Sequence, residues 1–126
     1  MNALDTNIWL YSHDTRDGNK QAIAQQLIAT VRPLALPWQV GCEFIAASRK
    51  LGSAGFTEVQ AWSALALMRT LADAVLLPIS DLWTETQILQ GRYSLSFWDA
   101  LLAAACLRDR VQILYTEDMG APRTIV

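Results

Sequence analysis

Short apolar runs alternate with longer stretches of helical periodicity along this chain, and the alternation predicts strands and helices in turn. Residues 2–5 read as a short buried strand ending in an acid, and Thr6–Tyr11 as the start of a helix. A charged loop follows at residues 13–18. Asn19 then caps a helix to about residue 30, with Ile23, Leu27 and Ile28 facing inward. Residues 34–36 form a second strand. Pro37 suits the first turn of the next helix, which runs to about residue 51. Arg49 and Lys50 fall in its last turn, where positive charge favours the helix dipole. Thr57 and Gln60 have the spacing of a capping box. The helix they open, residues 57–71, is apolar almost all round, so it is either deeply buried or part of an interface. In so small a domain the interface is favoured, around Trp62, Leu65 and Met68. Residues 74–77 make a third strand, closed by Pro78. Ser80 caps a helix to about residue 89, Gly91 ends it, and Arg92 and Tyr93 form a loop. Ser96 caps a helix over Phe97–Arg108. Residues 111–115 form a fourth strand and residues 124–126 a fifth.

This repeated β–α order argues for an α/β fold with a parallel sheet covered by helices on both faces. In such sheets the functional crevice lies at the carboxyl ends of the strands. The 126 residues suit one domain with a proper core, and a hydrophobic share of 52% with five Trp excludes disorder. Net charge is −2, which argues against a generally basic coat but does not exclude RNA, because several acids belong to the candidate site below. Cys42 and Cys106 both fall in helices without a CxxC pattern and read as small buried apolar residues. His13, the single histidine, reads as a loop residue rather than a ligand. No apolar run is long enough to span a bilayer and the start lacks a signal-peptide pattern, so the expected location is cytoplasmic, with no membrane partner.

The candidate chemistry lies in isolated carboxylates. Asp5 is the one charge in the first thirteen residues. Glu43 is the one charge between Pro33 and Ser48, and Asp99 the one between Tyr93 and Leu107. Asp118 follows the fourth strand, after Thr116 and Glu117. A carboxylate taken out of water is costly unless it is paired, hydrogen-bonded or bound to a metal. No Lys or Arg lies inside these stretches. Asp99 has a structural explanation as the third residue after Ser96 in a capping box, yet it shares a helix face with Leu102, Ala103 and Cys106. The four acids are either unrelated or the oxygen ligands of a hard cation such as Mg²⁺ or Mn²⁺. Asp5 and Asp118 at strand ends, with Glu43 and Asp99 on helices, suit the second reading.

Leu4-Asp5-Thr6-Asn7, the helical Glu43, Ser96-Phe97-Trp98-Asp99-Ala100-Leu101 and Thr116-Glu117-Asp118 resemble the four acidic motifs of PIN-domain nucleases. Length and helix order most resemble the VapC toxins of type II toxin–antitoxin systems, over nearly the whole chain. The resemblance implies a three-layer α/β/α PIN-like domain over residues 1–126, with a four- to five-stranded parallel sheet. It implies an Mg²⁺- or Mn²⁺-dependent endoribonuclease, the toxin of a VapBC-type pair, with RNA as substrate and a small antitoxin as partner. Asp5, Glu43, Asp99 and Asp118 would hold the metal, while Thr116, Thr6 and Asn7 would hydrogen-bond carboxylates or metal waters. Glu117 would be exposed. A homodimer is expected through residues 57–71. Arg16, Lys20, Arg49, Lys50 and Arg92 are candidates for holding backbone phosphates.

Other readings make distinct demands. A haloacid-dehalogenase-type phosphatase needs a second Asp where Asn7 stands, and a response-regulator receiver needs a late Lys, whereas no Lys follows Lys50. A non-catalytic PIN-like binding module would be expected to have lost one of the acids. A housekeeping RNA-processing nuclease fits as well as a toxin does, and a small antitoxin gene immediately upstream would separate them.

Overall fold

In the computed structural model, which describes residues 1–117, four short strands form one parallel sheet. These are β1 (Asn2–Leu4), β2 (Leu34–Pro37), β3 (Ala74–Leu76) and β4 (Ile113–Tyr115), in spatial order β3-β2-β1-β4. The register sets Ala3 opposite Ala35 on one side and Leu114 on the other. Six helices connect and flank the strands: α1 (Thr6–Tyr11), α2 (Gly18–Thr30), α3 (Trp38–Ser48), α4 (Glu58–Leu71), α5 (Leu82–Tyr93) and α6 (Phe97–Arg108). Successive strand residues point to opposite faces, so burial of every residue of β2, and of both Ala3 and Leu4, requires cover on both sides. The core packs Leu4, Leu34, Val40, Phe44, Met68 and Leu102 together, and a second cluster of Leu82, Leu89, Leu95 and alanines of α6 joins α5 to α6.

Local sequence explains most boundaries. Thr57 and Gln60 form the capping box of α4 with bonds of 2.8 and 3.1 Å. Ser96 accepts the Asp99 backbone N–H at 3.2 Å and so caps α6. Gly41, inside α3, lets α4 come close: a Cβ there would meet Leu65 Cδ1 at 3.3 Å.

Several boundaries and faces differ from expectation. Asp17, not Asn19, caps α2 by accepting the Lys20 N–H at 3.1 Å. Ile23 points outward at 60% exposure, and the inward position belongs to Ala24. The helix α3 stops at Ser48 and a 3₁₀ turn, Arg49–Ala54, follows, so Arg49 and Lys50 lie outside its last turn. No side chain caps α5, which begins after Asp81 and runs through Gly91 to Tyr93, where Ser94 in the left-handed region (φ 55°) ends it. In α4 Met68 belongs to the core and Leu65 is half-buried, while Val59, Trp62 and Leu67 are exposed. Cys42 is exposed; Cys106 is buried, and burial pushes its thiol up to about 12. The expected strand at 124–126 lies outside the described residues.

Candidate active site

The parallel order brings the carboxyl ends of β1 and β4 side by side, and Asp5 leaves β1 at that point. Its backbone N–H still belongs to the sheet edge, donating to Tyr115 O at 2.9 Å. The side chain then turns into the fold, with the residue only 5% exposed. Oδ1 accepts the Thr6 N–H at 2.6 Å, capping α1, and Oδ2 accepts the Thr116 hydroxyl at 2.7 Å. Two charge-assisted bonds, one from α1 and one from the residue just past β4, therefore fix both oxygens of one buried carboxylate.

Glu43 arrives from α3, which packs against α1. Gln39, one turn earlier on the same face, donates its amide to Glu43 Oε1 at 3.2 Å, and the Thr6 hydroxyl approaches the same oxygen at 3.4 Å. Burial raises the Glu43 pKa above its ordinary value; the Gln39 amide works against that, and the charges of Asp5 and Asp99 add to the rise. Asp99 stands half-buried in the first turn of α6. Ser96 bonds its backbone N–H, but the Asp99 carboxylate does not return a bond to a described residue, so a reciprocal capping box is not what holds it.

Asp5, Glu43 and Asp99 line one cleft of about 220 Å³, together with Thr6, Asn7, Gln39 and Lys50. The sequence pattern brought these three acids to one place; Asp118 lies outside the described residues. None of the three forms an ion pair with a described residue. Lys50 lines the cleft from the 3₁₀ turn that follows α3, seven residues after Glu43, a spacing that also shares a face in a helix. Among the described residues no three acidic, histidine or cysteine side chains stand close enough to hold an ion together. The donor set nonetheless fits a hard cation: all-oxygen, half-buried to buried, and without an ion-pair partner among the described residues.

The other candidate phosphate holders have different surroundings. Arg16 pairs with Asp14 at 2.8 Å and bonds Ser53. Lys20 pairs with Glu117 at 3.2 Å and lies 4.7 Å over the Tyr11 ring. Glu117 is exposed as expected, yet it also accepts the Tyr11 hydroxyl at 2.7 Å, and that bond lifts the Tyr11 phenol pKa. Its interest, which sequence reading missed, is that it ties the segment leaving β4 to α1 and α2. His13 stays out of the cleft and stacks on Phe56 at 4.7 Å between centroids.

A family model described as the PIN domain matches residues 3–124. This chain belongs to the PIN-domain family. Two solved structures show the same fold. The crystal structure of Mycobacterium tuberculosis VapC20, a sarcin–ricin loop cleaving toxin, is 20% identical, with 95% of this chain and 92% of that one covered and a TM-score of 0.73. VapBC2 from Rickettsia felis, bound to a DNA fragment from its promoter, is 14% identical, covering 91% of this chain and 86% of that one at a TM-score of 0.60. A comparison with curated protein sequences finds no match. The cleft of this PIN domain thus sits on the fold that those two structures share. No helix among its described residues is long and apolar enough to cross a membrane.

Proposed function

We propose that this PIN domain, spanning residues 1–126, is a divalent-metal-dependent endoribonuclease and the toxin of a VapBC-type pair. The observation that carries this reading is the meeting of Asp5, Glu43 and Asp99, from three separate parts of the chain, in one cleft without an ion-pair partner among the described residues. Fold likeness to a toxin that cleaves the sarcin–ricin loop and to a VapBC pair supports RNA as substrate and a small antitoxin as partner. The reading includes a homodimer and a cytoplasmic location.

Asp5, Glu43 and Asp99, with Asp118, would hold Mg²⁺ or Mn²⁺. When bound, the ion would supply an activated water and stabilise charge on the phosphate and leaving oxygen. The chain's own residues do the rest. Thr6 and Thr116 hold Asp5 in one orientation, and Asn7 lines the cleft beside them. Gln39 fixes Glu43 by donating its amide to Oε1. Lys50 offers a point charge to a backbone phosphate at the cleft edge.

Incubating total RNA with the purified protein in Mg²⁺ or Mn²⁺, against EDTA, and mapping the new ends tests the chemistry. Cleavage should require the cation and vanish in Asp5→Asn. Cleavage in EDTA would overturn the metal assignment. Expression should arrest growth, with rescue by the adjacent small gene; normal growth under strong expression of active enzyme would move the reading to housekeeping RNA processing.

A further inference from the structure

Beside the acid cleft lies a second, apolar hollow of about 340 Å³. The two share a wall, because Gln39 and Glu43 line both. The hollow is lined by Trp38, at the start of α3, and Trp98, in the first turn of α6, whose ring packs edge-on against Phe97. Trp38 and Trp98 are 53% and 59% exposed. Small side chains, Ala46 and Ala105, line it as well, and Glu43 is the one charged residue among the described residues that line it.

The hollow is mechanically joined to the acids. The Gln39 amide donates to the Trp98 backbone carbonyl at 2.9 Å and to Glu43 Oε1 at 3.2 Å. One side chain therefore sets the distance between an aromatic wall and a catalytic carboxylate. Asp99 follows Trp98 directly, so the same turn supplies a wall of the hollow and an acid of the cleft.

The geometry points to a nucleobase-stacking subsite: Trp38 and Trp98 receive one unpaired base of a single-stranded RNA whose adjoining phosphate lies in the acid cleft. This rests on the endoribonuclease reading and adds to it a determinant of where the strand is cut. The size supports a base, since 340 Å³ falls at the lower end of small-ligand pockets, about 300–1,000 Å³, and is a poor fit for a docked helix. The chemistry supports it too. An apolar lining bordered by a carboxylate repels phosphate but accepts a flat heterocycle, and every base has a π-face to offer. The shared wall carries the chain from hollow to cleft without a break.

The test uses the Asp5→Asn protein, which on this reading does not cut. Its affinity is measured for a short mixed-sequence oligoribonucleotide and for an abasic strand with the same number of phosphates. Stacking of one base should favour the base-bearing strand by about five- to a hundredfold, from the usual loss on alanine substitution. Trp38→Ala and Trp98→Ala should each shrink that ratio, and together bring it to about one. Trp98→Phe should keep most of it. The salt slope should not change, since no phosphate contact is lost. A ratio near one in the parent, or a ratio that survives the double substitution, overturns the subsite. If the double variant instead changes from dimer to monomer in sedimentation with the ratio intact, the hollow belongs to a second copy and the proposal fails. Wild-type cleavage of RNA with a parent ratio of one sinks the subsite alone, whereas absence of both cleavage and binding sinks the nuclease reading with it.

Discussion

Replacing Thr116 by Val removes a hydroxyl while keeping a β-branched side chain of nearly the same shape. The hydroxyl donates to Asp5 Oδ2 at 2.7 Å, near the range for charge-assisted O–H···O⁻ bonds. A hydrogen bond to a charged group contributes about 1.5–3 kcal/mol. Asp5 keeps its other bond, from the Thr6 N–H at 2.6 Å, and the freed oxygen borders a cleft of about 220 Å³ that admits water. The loss should therefore fall near the low end, about 1.5 kcal/mol. For a chain of this size that corresponds to a fall in Tm of about 6 °C. Thermal melts in EDTA measure it without interference from bound metal. Thr116→Ser, which keeps the hydroxyl, should melt close to the parent. RNA cleavage should fall by more than the stability change accounts for at working temperature, because Asp5 loses one of the bonds that orient it. If Thr116→Val melts within error of the parent, this bond does not hold Asp5.

Three further outcomes follow from the same geometry. Asp99→Asn should abolish cleavage and, in EDTA, melt above the parent by removing a charge that repels Glu43 and Asp5; on adding Mg²⁺ or Mn²⁺ it should gain less than the parent's expected stabilisation of about 2.7 kcal/mol at a hundredfold excess over Kd. A lower metal-free Tm would show that Asp99 serves its helix end first. Glu43 has a raised folded pKa, so in EDTA its contribution to stability is complete below its ordinary 4.5 and is lost as pH rises through the folded value. Glu43→Gln should remove that part of the pH dependence, and identical stability–pH profiles for parent and variant would contradict the assignment. If α4 forms the dimer interface, Trp62→Glu with Leu67→Glu should give a soluble monomer in sedimentation, whereas Met68→Glu, placed in the core, should unfold the chain; an unchanged dimer moves the interface off this helix.

The α/β order and three of the acids were legible because each rests on local signals. An apolar run ending in Asp5 marks a strand end, and Ser96 three residues before Asp99 marks a helix start. Lone charges in apolar stretches were conspicuous for the cost of burying them. What escaped was decided by partners distant in sequence. Ile23 looked inward by spacing alone, but the neighbouring elements left Ala24 the buried place. Gly91 looked like a terminator, yet helical packing of α5 on α6 carried the helix past it. Met68 and Trp62 were equivalent in an apolar pattern, and only the fold separates core from surface. Gln39 was visible as a neighbour of Glu43, while its bond to the Trp98 carbonyl spans 59 residues and has no local trace.

The strand order has a consequence for synthesis. The first strand made, β1, sits inside the sheet, and its neighbour on one side, β4, is made last among the four. Asp5 is oriented by a residue 111 positions later, and its backbone N–H waits for Tyr115. A growing polypeptide thus carries Asp5 long before Tyr115 and Thr116, the partners that set it, have left the ribosome. Prematurely ended chains lack the Thr116 bond and one side of β1, so they should neither complete the cleft nor cut.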